Sequence, residues 1–357
     1  MGHLEFGIWD TFPAHEMANH KVAADAYDQH LYEAQLAEEL GYESYYIIEH
    51  QNSNVGQLTT PSVYLCAVAQ RTTTMRFGVM IYQLPFYNPI RLAQEAAMLD
   101  HLSHGRLEFG TGTGVTEHEF KRWNLPFFER QKMSSEAMEI IIKAWTQDEV
   151  TYQGEYWQFE EALPVPKPYQ QPYPPIWVGA HSPASLEYAA KNNFNVSQNL
   201  DIDSTIAEKF DLYRKIWKEC EHAGPMPRTF LTRAVHVAET DEKARAEAEG
   251  PLVASRGLGR KGIAETRLGS HNNNEGTPSQ KELARVFQGM STSLDFWIDN
   301  GLALVGSPET VTKKLKEQHG SMGYDIFTAA HRIGDMPPEQ SLNSLKLFAQ
   351  EVIPAFR

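Results

Sequence analysis

Glu49 and His50 end an aromatic and aliphatic run, YESYYIIEH. A carboxylate beside an imidazole at the end of a buried strand suits general acid–base chemistry, because histidine ordinarily titrates near neutrality. The same two residues would also serve as a structural pair, with Glu49 buried and hydrogen-bonded. A second grouping, His181-Ser182-Pro183-Ala184-Ser185, follows PIWVGA and opens a helix. Free backbone N–H groups, two hydroxyls and an imidazole there make a cradle suited to a phosphate. Ser182 equally satisfies ordinary N-capping, and one residue can do both. A third grouping is the run FGTGTG, with Gly110, Gly112 and Gly114. Its G-x-G-x-G spacing is not the G-x-G-x-x-G of a dinucleotide fingerprint, and no acidic residue ends a next strand about 20 residues on. These glycines either let the strand turn tightly or keep its end small enough for a flat ring system to approach. The histidines at 15, 20, 101, 104 and 118 lack metal-type spacing, so no metal site is expected.

All three groupings need strands to carry them to one place. Met75 to Gly114 reads as a strand (RFGVMIYQLP), a helix (NPIRLAQEAAMLDHLSHG) and a second strand ending in glycines. Both strands are continuous apolar runs, as in a parallel sheet covered on both faces. Asn88 caps the helix, Pro89 takes its first position and Gly105 stops it. Eight core strands are predicted, over 4–9, 44–49, 76–81, 106–111, 175–180, 195–198, 229–238 and 324–329. Leu31, Ala34, Ala37 and Leu40 form one helical stripe that Gly41 ends, and Thr60-Pro61, Asn88-Pro89, Ser182-Pro183 and Ser307-Pro308 mark helix starts. Eight alternating strands and helices favour an α/β fold, a (β/α)8 TIM barrel, whose site lies at the carboxyl ends of the strands. One domain over 1–357 is expected, with a hairpin insertion at about 147–175 turning at Gly154. Residues 251–280, rich in Gly, Asn, Ser and Arg, are expected to be a long polar loop, either a lid or a plain connection.

Composition narrows the partners. The 357 residues are 41% hydrophobic and 22% charged, which is ordinary for a soluble globular protein. A net charge of −14 argues against nucleic acid as partner, and no apolar run approaches the roughly 20 residues that span a bilayer. Glu5 and Asp10 come early and no basic region precedes an apolar core, so no signal peptide is expected. Cys66 and Cys220 are the only cysteines, consistent with a reducing cytoplasm. A cytoplasmic protein acting on a small molecule is the expectation.

The chain resembles the bacterial luciferase-like, flavin-dependent monooxygenase family over nearly its whole length. The landmarks, in order, are FGIW, GYESYYIIEH, FGVMIYQLPFYNPIRLAQEAAMLDHLSHGRLEFGTGTG, PIWVGAHSPASLEYAA, VGSPETV and LKLFAQEVIPAF. The resemblance implies a (β/α)8 barrel binding reduced FMN at the strand C-termini, with a separate NAD(P)H:flavin reductase supplying it. It implies catalytic roles for Glu49 and His50, the histidine acting beside the flavin. It places Trp9 near the flavin, Met80-Ile81 where the family often has a non-prolyl cis peptide under the ring system, and Thr111, Gly112 and Thr113 flanking the flavin. His181, Ser182 and Ser185 match the phosphate-binding turn. Luciferase itself has a second histidine where this chain has Gln51, and a cysteine and a phosphate-contacting arginine where it has Gly112 and Thr113. Light emission is therefore not expected, and the phosphate grip falls to the His181 turn or to Arg256, Arg260 or Lys261.

The expected activity is oxygenation of a small apolar substrate (aldehyde, ketone, alkane or terpene) by O2 and reduced FMN, the flavin carrying the oxygen chemistry. Trp9, Phe12, Tyr82, Phe86 and Tyr87 are candidates to line an apolar pocket. Two alternatives are an F420-dependent oxidoreductase of the same superfamily and a non-catalytic flavin-binding protein. A homodimer packed through helices 61–72 and 88–104 is also implied.

Overall fold

The computed structural model describes residues 3–13, 16, 20–51, 58–267 and 278–357. Their strands are β1 (Glu5–Asp10), β2 (Ser44–Ile47), β3 (Arg76–Gln83), β4 (Leu107–Gly112), β5 (Val150–Gln153), β6 (Gln158–Ala162), β7 (Ile176–Gly179), β8 (Asn195–Gln198), β9 (Thr229–Val237), β10 (Ala303–Gly306) and β11 (Ile326–Ala330). The ring runs β1-β2-β3-β4-β7-β8-β9-β11 and closes where β11 pairs with β1, every pairing in it parallel. These are the eight strands predicted, including the short polar β8, and the fold is the expected (β/α)8 barrel.

Helices begin at Pro61, Pro89, Pro183 and Pro308, the four predicted starts. Proline's fixed φ and missing N–H cost nothing at a first helical turn. The Asn88 side chain accepts the Arg91 N–H at 3.1 Å, and Gly41 ends the first helix, His20–Glu39, at φ +89°. Leu31, Ala34 and Ala37 of that helix are buried in the main core between helices and barrel.

Three features depart from or extend the expectation. A ninth parallel strand, β10, lies outside the ring. It pairs with the C-terminal half of β9, Ala303 beside Ala234, on the edge whose N-terminal half pairs with β8. The stretch 251–267 is not a loop: it continues a helix, Asp241–Arg267, and a second helix follows at Pro278–Met290. Gly257, Gly259 and Gly262 weaken a helix without preventing one here. The centre of the expected lid, 268–277, lies outside the described residues. A second core, including Ala244, Ala248, Leu252, Val286, Met290 and Trp297, packs these helices on β10 beside the barrel. The insertion at 147–175 is the expected antiparallel hairpin of β5 and β6, with the Gly154 N–H donating to the Trp157 carbonyl at 2.9 Å.

Candidate functional site at the C-terminal rim of the barrel

Strand side chains alternate between lumen and helix shell, and that alternation decides which residues the site receives. Trp9, Tyr46, Met80, Trp177, Phe230 and Ile326 form a separate buried cluster, with Ile48, Ile81 and Ala330 packed against it. It fills the lumen. Phe230 lies at its centre, with ring centroids 5.1 Å from Tyr46 and Trp177 and 6.1 Å from Trp9. The Met80–Ile81 peptide is cis, and the β3–β4 register shifts between Val79 and Tyr82.

The Glu-His pair divides between the two sides. Glu49 is buried, 3% exposed, and enclosed by donors: the Gln83 backbone N–H at 3.0 Å, the Gln51 amide at 2.6 Å and the Tyr87 hydroxyl. Burial pushes its carboxyl up to about 8, although those hydrogen bonds pull the other way. Tyr87 is likewise pushed above the usual phenol range by burial and by Glu49. His50 is half-buried, and its Nδ1 meets Oε1 of Glu119 at 2.9 Å. Glu119 is fully buried and sits on the short helix Glu117–Arg122 after β4. Gln83 links the two carboxyls, since its side-chain amide donates to the Glu49 carbonyl at 3.0 Å and to Glu119 Oε2 at 3.3 Å. Glu119 and Gln83 were not among the sequence candidates. Glu119 lies 69 residues from His50, and no local spacing signals such a pair.

The His181 turn stands at the C-terminal end of β7. Ser182 caps helix Pro183–Lys191 through a reciprocal box: Ser182 Oγ accepts the Ser185 N–H at 3.2 Å, and Ser185 Oγ accepts the Ser182 N–H at 3.0 Å. His181 is exposed, with Nδ1 3.7 Å from Asp201, which Lys209 also meets at 2.6 Å. Burial would raise the Asp201 carboxyl, but those two partners outweigh it and hold it below the usual range. At the end of β8 the side-chain carbonyl oxygens of Gln198 and Asn199 are buried without a hydrogen-bond partner.

The remaining candidates are placed as follows. Gly112 faces the lumen, where a Cβ would stand 1.9 Å from Cδ1 of Ile81. At Gly110 a Cβ would stand 2.0 Å from the Val79 carbonyl oxygen. The small size of these glycines is thus already used by β3. Thr111 shares the shell-facing parity of Leu107 and Phe109 and is buried, so it offers the rim its backbone and not its hydroxyl. Thr113 is half-buried, its hydroxyl donating to the Gly114 carbonyl at 3.1 Å. Phe12 and Tyr82 are not lumen residues. Both belong to the shell core, Phe12 stacked on His30 at 4.1 Å and Tyr82 on Phe109 at 5.1 Å. The side chains of Arg256, Arg260 and Lys261 lie outside the described residues. Among the described residues no group of three or more His, Cys, Asp or Glu is placed to hold a metal ion, and no helix is long and apolar enough to cross a membrane.

Comparison with known proteins agrees with this fold. A family profile described as luciferase-like monooxygenase matches residues 4–325. The oxygenase component of flavin-dependent trigonelline monooxygenase from Acinetobacter baylyi is 28% identical, over 95% of this chain and 92% of its own. Limonene 1,2-monooxygenase from Rhodococcus erythropolis is 26% identical, over 89% of this chain and 78% of its own. Among solved structures, the monooxygenase RslO1 from Streptomyces bottropensis superposes with a TM-score of 0.82 at 25% identity, covering 99% of this chain and all of that one.

Proposed function

Because this chain belongs to the luciferase-like monooxygenase family, we propose that it binds reduced FMN at the C-terminal rim and uses O2 to oxygenate a small apolar substrate. A separate NAD(P)H:flavin reductase supplies the reduced cofactor, a reading supported by the trigonelline relative's description as an oxygenase component. The observation that carries the proposal is His50, a half-buried imidazole backed by a buried carboxylate above a lumen floored with aromatic rings.

The residues present fit the cofactor. Trp9, Met80 and Ile81 offer an apolar bed for a flat ring system, and the orphaned acceptors of Gln198 and Asn199 suit the hydroxyl donors of a ribityl chain. The Ser182–Ser185 box holds a helix N-terminus ready for a phosphate, with His181 beside it. Bound there, FMN supplies the activation of oxygen. The chain's own part is to exclude water from the lumen, to orient the ring and to move one proton through His50 Nε2, the imidazole nitrogen not engaged by Glu119.

The helices proposed to form a homodimer expose apolar side chains, Val63 at 70%, Met98 at 54% and Leu102 at 48%, which supports that pairing. Oxygen consumption with photoreduced FMN, measured over a panel of aldehydes, ketones, alkanes and terpenes with product masses, tests the activity. The expected result is a product heavier by one oxygen atom. Hydride transfer with reduced F420 and no oxygen uptake, or tight flavin binding with no turnover, would replace this reading by one of its rivals.

A further inference from the structure

Glu119 is a fully buried carboxylate whose two oxygens are divided between two donors, His50 Nδ1 at 2.9 Å and the Gln83 amide at 3.3 Å. The Gln83 amide cannot turn freely, because it also donates to the Glu49 carbonyl at 3.0 Å while its backbone N–H holds Glu49 Oε2 at 3.0 Å. Its carbonyl oxygen is confined too, lying 2.4 Å from where a Cβ on Gly114 would stand. A carboxylate only accepts hydrogen bonds, so an ionised Glu119 at this distance from Nδ1 takes its hydrogen bond from an Nδ1–H.

We propose that Glu119 is the positioning residue for His50: it fixes the neutral ring as the Nδ1–H tautomer, leaves Nε2 as the nitrogen facing the rim, and is itself oriented by Gln83. The inference rests on the reading of His50 as the acid–base group, and it assigns Glu49 a different place. Glu49 lies against β3 with its own donors, so of the two buried carboxyls it is Glu119 that addresses the imidazole.

The substitution Glu119→Gln is nearly isosteric and exchanges one acceptor for a donor. The fixed Gln83 amide claims the remaining acceptor, which turns the new NH2 group toward His50. The ring must then accept at Nδ1 and carry its proton on Nε2, the wrong nitrogen for accepting a proton at the rim. Substituting the carboxylate behind a catalytic histidine with its amide acts through this tautomer exchange in other enzymes.

The test is 15N NMR of histidine-labelled protein without flavin, at a pH where the ring is neutral, with His50→Ala identifying the signals. The expected result is Nδ1–H in the wild type and in Glu119→Asp, and Nε2–H in Glu119→Gln. Product formation by Glu119→Gln should fall roughly 10²-fold or more with FMN affinity unchanged. The same tautomer in wild type and Glu119→Gln, or Nε2–H in the wild type, overturns the proposal; the second result decides even if the glutamine variant does not fold. A wild type with the expected tautomer that oxygenates nothing refutes the oxygenase reading and leaves the role of Glu119 standing.

Discussion

Raising the pH should loosen the mouth of the barrel through His30. This imidazole is wholly buried, with Nδ1 2.6 Å from Asp10 and Nε2 2.8 Å from Glu16. Arg332, from the segment after β11, reaches Glu16 at 2.5 Å and Glu33 at 2.6 Å, and Tyr45 donates to Asp10. The cluster therefore ties the end of β1 and the segment that follows it to the first helix and to the chain leaving β11, the strand beside β1. Burial alone would lower the His30 pKa, but the two carboxylates outweigh burial and push it from 6.5 to about 9. At about 1.4 kcal/mol per pH unit, that rise corresponds to roughly 3 kcal/mol. The folded-state value lies above the unfolded one, so the stabilisation is full below pH 6.5, about half remains near pH 8, and it is lost as pH rises through 9. Urea unfolding of wild type and His30→Gln at pH 6, 8 and 10 measures it. The gap between the two proteins should narrow by roughly 3 kcal/mol across that range. A gap independent of pH would mean that the imidazole is neutral when folded, and the charge-pair account would be wrong.

Three further outcomes follow from the rim. His50→Ala should fold and bind FMN normally but lose roughly 10²–10⁴-fold in product formation and release hydrogen peroxide instead; full product yield per folded molecule would remove its catalytic assignment. Ser182→Asp with Ser185→Asp keeps a good capping residue but sets negative charge in the phosphate cradle, so FMN affinity should drop far more than riboflavin affinity; equal losses would move the phosphate elsewhere. Gly110→Ala should destabilise more than Gly112→Ala, because its new Cβ meets a backbone carbonyl at 2.0 Å where the other meets the tip of a flexible isoleucine. Overpacking at Gly112 should cost about 1–3 kcal/mol, and the reverse order in denaturation would contradict the β3–β4 packing described.

The barrel was readable because its signals are local. Prolines at 61, 89, 183 and 308 fix helix starts whatever the rest of the chain does, and apolar runs mark strands covered on both sides. β10 escaped because ALVG is too short to stand out before the helix that follows, and it exists only by extending an edge of β9 that β8 leaves open. The stretch 251–267 was misread in the opposite sense, since its glycines and polar residues speak against a helix that packing of Ala244, Ala248 and Leu252 supports. At the candidate site, the placement of His50 after β2 and of the His181 turn after β7 was legible, but side-chain direction was not. Phe12 and Tyr82 differ from Trp9 only in which way a strand or its exit points them. Glu119 and Gln83 depend on where three strand ends meet, which no spacing in one segment encodes.

The other end of the lumen bounds where chemistry can occur. Glu108, at the start of β4, is fully buried and accepts from the Trp177 indole at 2.5 Å, from Arg228 at 2.9 Å and from Arg76. Arg228 also pairs with Glu5 at 2.9 Å. These charges pair with one another, although one Glu5 oxygen is buried without a partner, and they lie beneath the Tyr46, Trp177 and Phe230 layer, so they hold the N-terminal ends of the strands together without facing the rim. A buried carboxylate that accepts from two guanidinium groups and an indole has little hydrogen-bonding capacity left for a ligand. At the opposite end the half-buried His50 has one nitrogen engaged and one available, and the capped helix at Ser182 presents its positive end. The aromatic layer thus separates a charge network that closes the barrel from an imidazole and an anion cradle that remain accessible. That division supports the proposed site at the C-terminal rim, the end at which closed parallel α/β barrels carry their active sites.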